Sequence, residues 1–136
     1  MKLNNKTIAN LLEKGLKKAE KMGLGNSIAF VDESGLLTGF LRHPVVEICS
    51  IQFAIDKAYT ALINRLSTEE LGEICQPGQE LYGLQNNLGG RMVIFGGGIP
   101  IWNQSKKLIG AVGVSGGSVQ QDIEVATYIV DQFRNN

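Results

Sequence analysis

Apolar and small side chains recur at helical spacing through Ile8, Leu11, Leu12, Gly15, Ala19 and Met22, which predicts an opening helix from about Asn5 to Met22. Gly23-Leu24-Gly25-Asn26 ends it, with glycine in the usual C-terminal position. Ser27–Asp32 and Leu36–Arg42 are short β-rich runs on either side of Glu33-Ser34-Gly35, so they read as an antiparallel hairpin. His43-Pro44 breaks the second run. A long helix is expected from about Val46 to Asn64, with Ile48, Ile51, Ile55, Ala58 and Leu62 as its buried stripe.

Ser67-Thr68-Glu69-Glu70 is a capping box that starts a short helix to about Ile74. Gln76 to Gly90 reads as a long irregular loop, a length often associated with function. Arg91–Phe95 is expected to be a third strand, turned by Gly96-Gly97-Gly98 into Ile99–Trp102, with Lys107–Val112 as the final strand. A last helix buries Val119, Ile123, Ala126, Val130 and Phe133. Hairpin-joined strands dominate this order. The expected fold class is therefore α+β, a single antiparallel sheet of about five strands flanked by helices, with residues 1–136 as one domain.

The join between final strand and last helix, Gly113-Val114-Ser115-Gly116-Gly117-Ser118, is the densest local signal. Gly116 and Gly117 permit backbone angles that a Cβ forbids, and Ser118 with Gln121 forms a second capping box. Amides at such a helix start suit a carboxylate or phosphate, although a tight ligand-free turn explains the same residues.

Composition narrows the functional classes. Thirteen basic residues balance thirteen acidic ones, and no basic stripe marks a nucleic-acid footprint. The cluster Lys14, Lys17, Lys18 and Lys21 is interrupted by Glu20 and reads as a solvated face. No apolar run is long enough to span a bilayer, and the first residues lack the apolar core of a secretory signal. Cys49 and Cys75 show no metal-ligand spacing and read as reduced thiols, which points to the cytoplasm. There is no dinucleotide fingerprint, Walker motif, nucleophile elbow or zincin motif.

Several blocks together resemble the GlcG/HbpS family of haem-binding proteins, which also occurs as the C-terminal domain of PduO-type corrinoid adenosyltransferases. They are Val31–Gly35 with Leu37 and Arg42, Ser50, Ala54–Ala61, Pro77-Gly78 with Leu81–Leu84, Gly97–Pro100, and Val112–Gly117 with Gln121-Asp122. The resemblance implies a profilin-like fold, a homo-oligomer, binding of haem or another tetrapyrrole, and a setting in glycolate or propanediol use. The chain departs from it at Arg42–Val46, and residues 5–22 hold no histidine where well-known members place an axial ligand.

Alongside the resemblance, the expected pocket is built from Arg42 and His43, Lys57, Gly97 and Gly98, and Ser115, Gly116 and Gly117, with Tyr82 against an apolar ring. His43, the one histidine, is the candidate metal ligand for haem iron, or a general base, or a loop residue without a role. Lys57 either holds a ligand's acid group or leads its ammonium to solvent. The alternatives to a tetrapyrrole are a small organic acid as ligand, a small enzyme acting on a carboxylated or carbonyl substrate, and an accessory subunit.

Overall fold

The computed structural model describes residues 2–135. The elements are α1 (Asn5–Lys21), β1 (Ser27–Asp32), β2 (Leu37–Arg42), α2 (Ile48–Asn64), α3 (Thr68–Glu73), β3 (Gly98–Trp102), β4 (Leu108–Ser115) and α4 (Val119–Arg134). Two short 3₁₀ turns, Leu84–Asn86 and Leu88–Gly90, punctuate the loop before β3. The starts of α1, α3 and α4 follow their caps. Asn4 accepts from the Thr7 amide at 2.9 Å, and the Ser67/Glu70 and Ser118/Gln121 boxes are both closed.

One antiparallel sheet has the strand order β2-β1-β4-β3. It confirms the α+β architecture with four strands where about five were expected. The missing strand is Arg91–Phe95. Its backbone groups bond a helix side chain instead of a neighbouring strand: Thr60 Oγ1 donates to Arg91 O and accepts from Val93 N.

Alternation along β1 and β4 sends large side chains to one face and small ones to the other. Ile28, Phe30, Val112 and Val114 pack with Leu11 of α1 and Val125 and Ile129 of α4. Each of these apolar side chains contributes roughly 1.5–3 kcal/mol on burial. Val31 and Ala111 face Ala58, Ala61 and Leu62 of α2. The sheet therefore lies between α1 with α4 and α2.

Ala58 and Leu62 of the stripe expected on α2 are buried, whereas its isoleucines are displaced by this small-residue face. Ile48 is 87% exposed, whereas Ser50, Ala54, Lys57, Ala58 and Ala61 are buried. A Cβ on Gly113 would run into Ala54 O and the Ala58 amide. Glycine there lets α2 approach the sheet so closely that only its alanine-rich side fits. On α4, Ala126, Val130 and Phe133 are buried as expected, and the stripe differs at its start. Val119 is exposed, Val125 and Ile129 are buried, and Asp122 turns inward.

Among the described residues no helix is long and apolar enough to cross a membrane.

Candidate functional site

Lys57 is fully buried on the sheet side of α2. Its Nζ donates to Val114 O at 2.9 Å and to Asp122 Oδ2 at 3.2 Å, and lies 5.2 Å from the centre of the Phe95 ring. Gly97, at φ +128°, leaves the room: a Cβ there would sit 2.7 Å from Nζ. Asp122 enters from the first turn of α4. Its Oδ1 accepts from the Gly117 amide at 2.9 Å and from Asn26 Nδ2 at 3.1 Å. Asn26 is itself buried, and its Oδ1 has no partner among the described residues.

Burial pushes the Lys57 pKa below its ordinary range, and the Asp122 carboxylate pulls part of it back. Burial likewise pushes Asp122 up, against Lys57, the Gly117 amide and Asn26. The two groups stand as an ion pair whose cost of burial is offset by the Val114 carbonyl on Lys57 and by the Gly117 amide and Asn26 on Asp122.

Over this pair lies a cavity of about 250 Å³, lined by Glu47, Cys49, Ser50, Phe53, Lys57, Phe95, Ser115, Gly116, Gly117, Val119 and Asp122. Phe53 and Phe95 meet edge to face with centroids 6.0 Å apart. A wider, open depression of about 680 Å³ adjoins it, sharing Glu47, Cys49 and Gly116 and adding Gly25, Val45, Val46 and Ile48. Val45, Ile48, Phe53, Phe95 and Val119 are all exposed around the two and form an apolar rim.

A family described as haem degrading protein HbpS-like matches residues 3–131. The chain belongs to the HbpS-like family. It is 36% identical over 126 residues to the corrinoid adenosyltransferase PduO of Citrobacter freundii, covering 93% of this chain and 37% of that protein. The chain thus spans about a third of the length of the PduO relatives it matches. Among solved structures it is similar to the Klebsiella pneumoniae protein ORFY, at TM-score 0.93 and 33% identity over 98% of this chain and 92% of the other. It is similar also to a PduOC crystallised as a haem complex, at TM-score 0.92 and 34% identity over 96% and 94%. The likeness to GlcG/HbpS proteins and the PduO C-terminal domain seen in the residues is borne out.

This HbpS-like fold brings some of the expected site residues together and separates others. Lys57, Ser115, Gly116 and Gly117 share the cavity, and Gly97 packs on the Lys57 ammonium. The anion expected at the helix start is the protein's own Asp122, which already holds the Gly117 amide and Lys57. Gly98 serves packing, with its amide donating to Thr68 Oγ1 at 2.9 Å. Arg42 is exposed and donates from Nη1 to the carbonyls of His43 and Pro44. Tyr82 is 65% exposed in the loop before β3 and lines neither depression.

His43 is held differently from a metal ligand. Its Nδ1 accepts from the Asn26 amide at 2.8 Å, which places the proton on Nε2 in the neutral ring. Nε2 is buried 3.3 Å from Glu20 Oε1, without the alignment of a hydrogen bond. In this conformation neither nitrogen offers a lone pair to iron. Among the described residues no group of three or more histidine, cysteine or acidic side chains could hold a metal ion.

Asn26, Phe53, Phe95 and Glu47 are not among the site residues expected from the sequence, and Cys49 reads there only as a reduced thiol. Phe95 directly precedes the triple glycine, the one local hint. Asn26 carries no local signal, because it looks like ordinary turn residue after α1.

Proposed function

We propose that residues 1–136 act as one domain that binds haem or another tetrapyrrole, as a homo-oligomer in the cytoplasm, within corrinoid-linked metabolism. The observation that carries this reading is the 34% identity, over 96% of the chain, to the PduOC crystallised with haem. The apolar rim of Val45, Ile48, Phe53, Phe95 and Val119 supports it, since a flat apolar ring needs such a surface.

The residues fit such a ring at the open depression. The inner cavity of about 250 Å³ falls below the roughly 300–1,000 Å³ of ordinary ligand pockets, whereas the adjoining one of about 680 Å³ lies within it. Val45 and Ile48 would carry the ring face. Cys49 and Glu47, which line both depressions, bring the donor atoms available to iron there. Bound haem would supply redox and ligand-exchange chemistry at its iron. Lys57 is not the partner of the acid groups on this reading, because Asp122 already neutralises it. A small organic acid in the inner cavity is disfavoured for the same reason.

Self-association is supported by β2, an edge strand that exposes Leu37 and Leu41. Two free thiols, Cys49 exposed and Cys75 buried, fit a reducing compartment.

Hemin titration with absorbance spectra tests the binding. The wild type should develop a shifted Soret band that survives gel filtration. Cys49→Ala should move or weaken it, and His43→Ala should retain it. No Soret shift with excess hemin would overturn the tetrapyrrole reading.

A further inference from the structure

Lys57 lies at the floor of the inner cavity with its side chain 1% exposed, 3.2 Å from Asp122 Oδ2. Charge selects what can enter. The lining carries one cationic side chain, Lys57, and two carboxylates, Asp122 and Glu47. An anion meets a net negative wall, so a neutral molecule is favoured. Size selects further. A volume of about 250 Å³ is that of about eight water molecules at ~30 Å³ each. Phe53, Phe95 and Val119 make the walls apolar, and Ser115 adds a hydroxyl.

The geometry points to a covalent site in which Lys57 captures a short neutral aldehyde as an iminium, with Asp122 carrying the protons. This does not rest on tetrapyrrole binding. The Lys57 ammonium gives one proton to Asp122, and the freed amine attacks the carbonyl carbon. A C–N bond forms, and the carbonyl oxygen takes the proton back from Asp122, assisted by the Ser115 hydroxyl. A second proton passes from nitrogen through Asp122 to the new hydroxyl, the C–O bond breaks, and water leaves. The product is a protonated imine and an ionised Asp122. Neither oxidant nor reductant is needed, and the reaction reverses with water.

Three features support that outcome. A buried lysine is the usual amine for such condensations, because desolvation frees its lone pair. Burial displaces the Lys57 and Asp122 pKa values toward each other, which eases proton exchange between them. The iminium keeps the positive charge against Asp122 and the Phe95 ring, and gives up one N–H bond, that to Val114 O.

Wild-type protein without haem is incubated with butanal and sodium cyanoborohydride near neutral pH, digested, and mapped by mass spectrometry. The Lys57 peptide should gain the butyl group at least about tenfold faster than peptides bearing exposed Lys2, Lys6 or Lys106. Glyoxylate, an anionic aldehyde, should label Lys57 more slowly than butanal. Asp122→Asn should slow labelling of Lys57 and leave the exposed lysines unchanged. Labelling of Lys57 no faster than the exposed lysines overturns the proposal, as does faster labelling by glyoxylate. Should Asp122→Asn fail to fold by circular dichroism, the wild-type comparison within one sample decides alone.

Discussion

Lys57 and Asp122 meet at 3.2 Å across 65 positions of sequence, with the Gly117 amide and Asn26 completing the carboxylate's shell. The pair ties α2 to the start of α4 just beyond the end of β4. Because both side chains are almost wholly buried, either partner alone is a liability.

Asp122→Ala is expected to lower stability by about 3–5 kcal/mol, since it strands the Lys57 charge in the interior. The double variant Lys57→Met/Asp122→Leu should recover most of that loss, because apolar groups of similar size replace both charges. Urea denaturation measures both. A double variant no better than Asp122→Ala would show that the pair contributes more than its desolvation takes away.

Stability should depend on pH through these two groups. Lys57 titrates below its ordinary 10.5 when folded, so just beneath that value the unfolded chain holds the extra proton. Unfolding free energy from Lys57 therefore rises with pH up to 10.5. Asp122 titrates above its ordinary 3.8, so the folded chain holds the extra proton in the window above it, and its contribution falls as pH rises there. Urea midpoints over a pH series should show the alkaline slope in the wild type and not in Lys57→Met. Identical slopes in both would remove Lys57 as the cause.

Gly113→Ala should cost about 1–3 kcal/mol by overpacking, because its Cβ meets the α2 backbone at Ala54 and Ala58. Thermal unfolding checks this. An unchanged midpoint would mean that α2 can move off the sheet freely.

His43→Ala should cost about 1–3 kcal/mol by leaving the Asn26 amide without its acceptor. It should leave hemin affinity in place. Loss of the Soret band with unchanged stability would restore His43 as an iron ligand.

Phe95→Ala should weaken hemin binding, since it removes part of the apolar rim and one partner of the Phe53 pair, itself worth about 0.5–1.5 kcal/mol. Titration against the wild type gives the difference. Equal affinities would place the ring elsewhere.

The elements that were legible in the sequence are those set by short-range physics. Helical spacing from Ile8 to Ala19, the capping boxes at Ser67 and Ser118, and the hairpin around Gly35 each depend on neighbours within a few residues. The order of elements and the hairpin-joined strands extended this to the α+β class. Where the reading failed, a distant surface was responsible. Ile48 and Ile51 promised a buried stripe, yet the glycine-bearing face of β4 admits only the alanine side of α2. Arg91–Phe95 has strand composition, yet Thr60 of α2 takes its hydrogen bonds.

The site divides in the same way. Lys57, Gly97 and the Ser115–Gly117 turn stood out from residue type and order alone. That Lys57 is answered by Asp122, that Asn26 supports Asp122, and that His43 is engaged by the Asn26 amide all depend on α2, the start of α4 and the connections before β1 and after β2 converging at one end of the sheet. Helix periodicity and turn chemistry act over a few residues and are written locally. The partner of a buried charge is chosen by which surfaces pack together, and that choice exists only once the chain has closed around it.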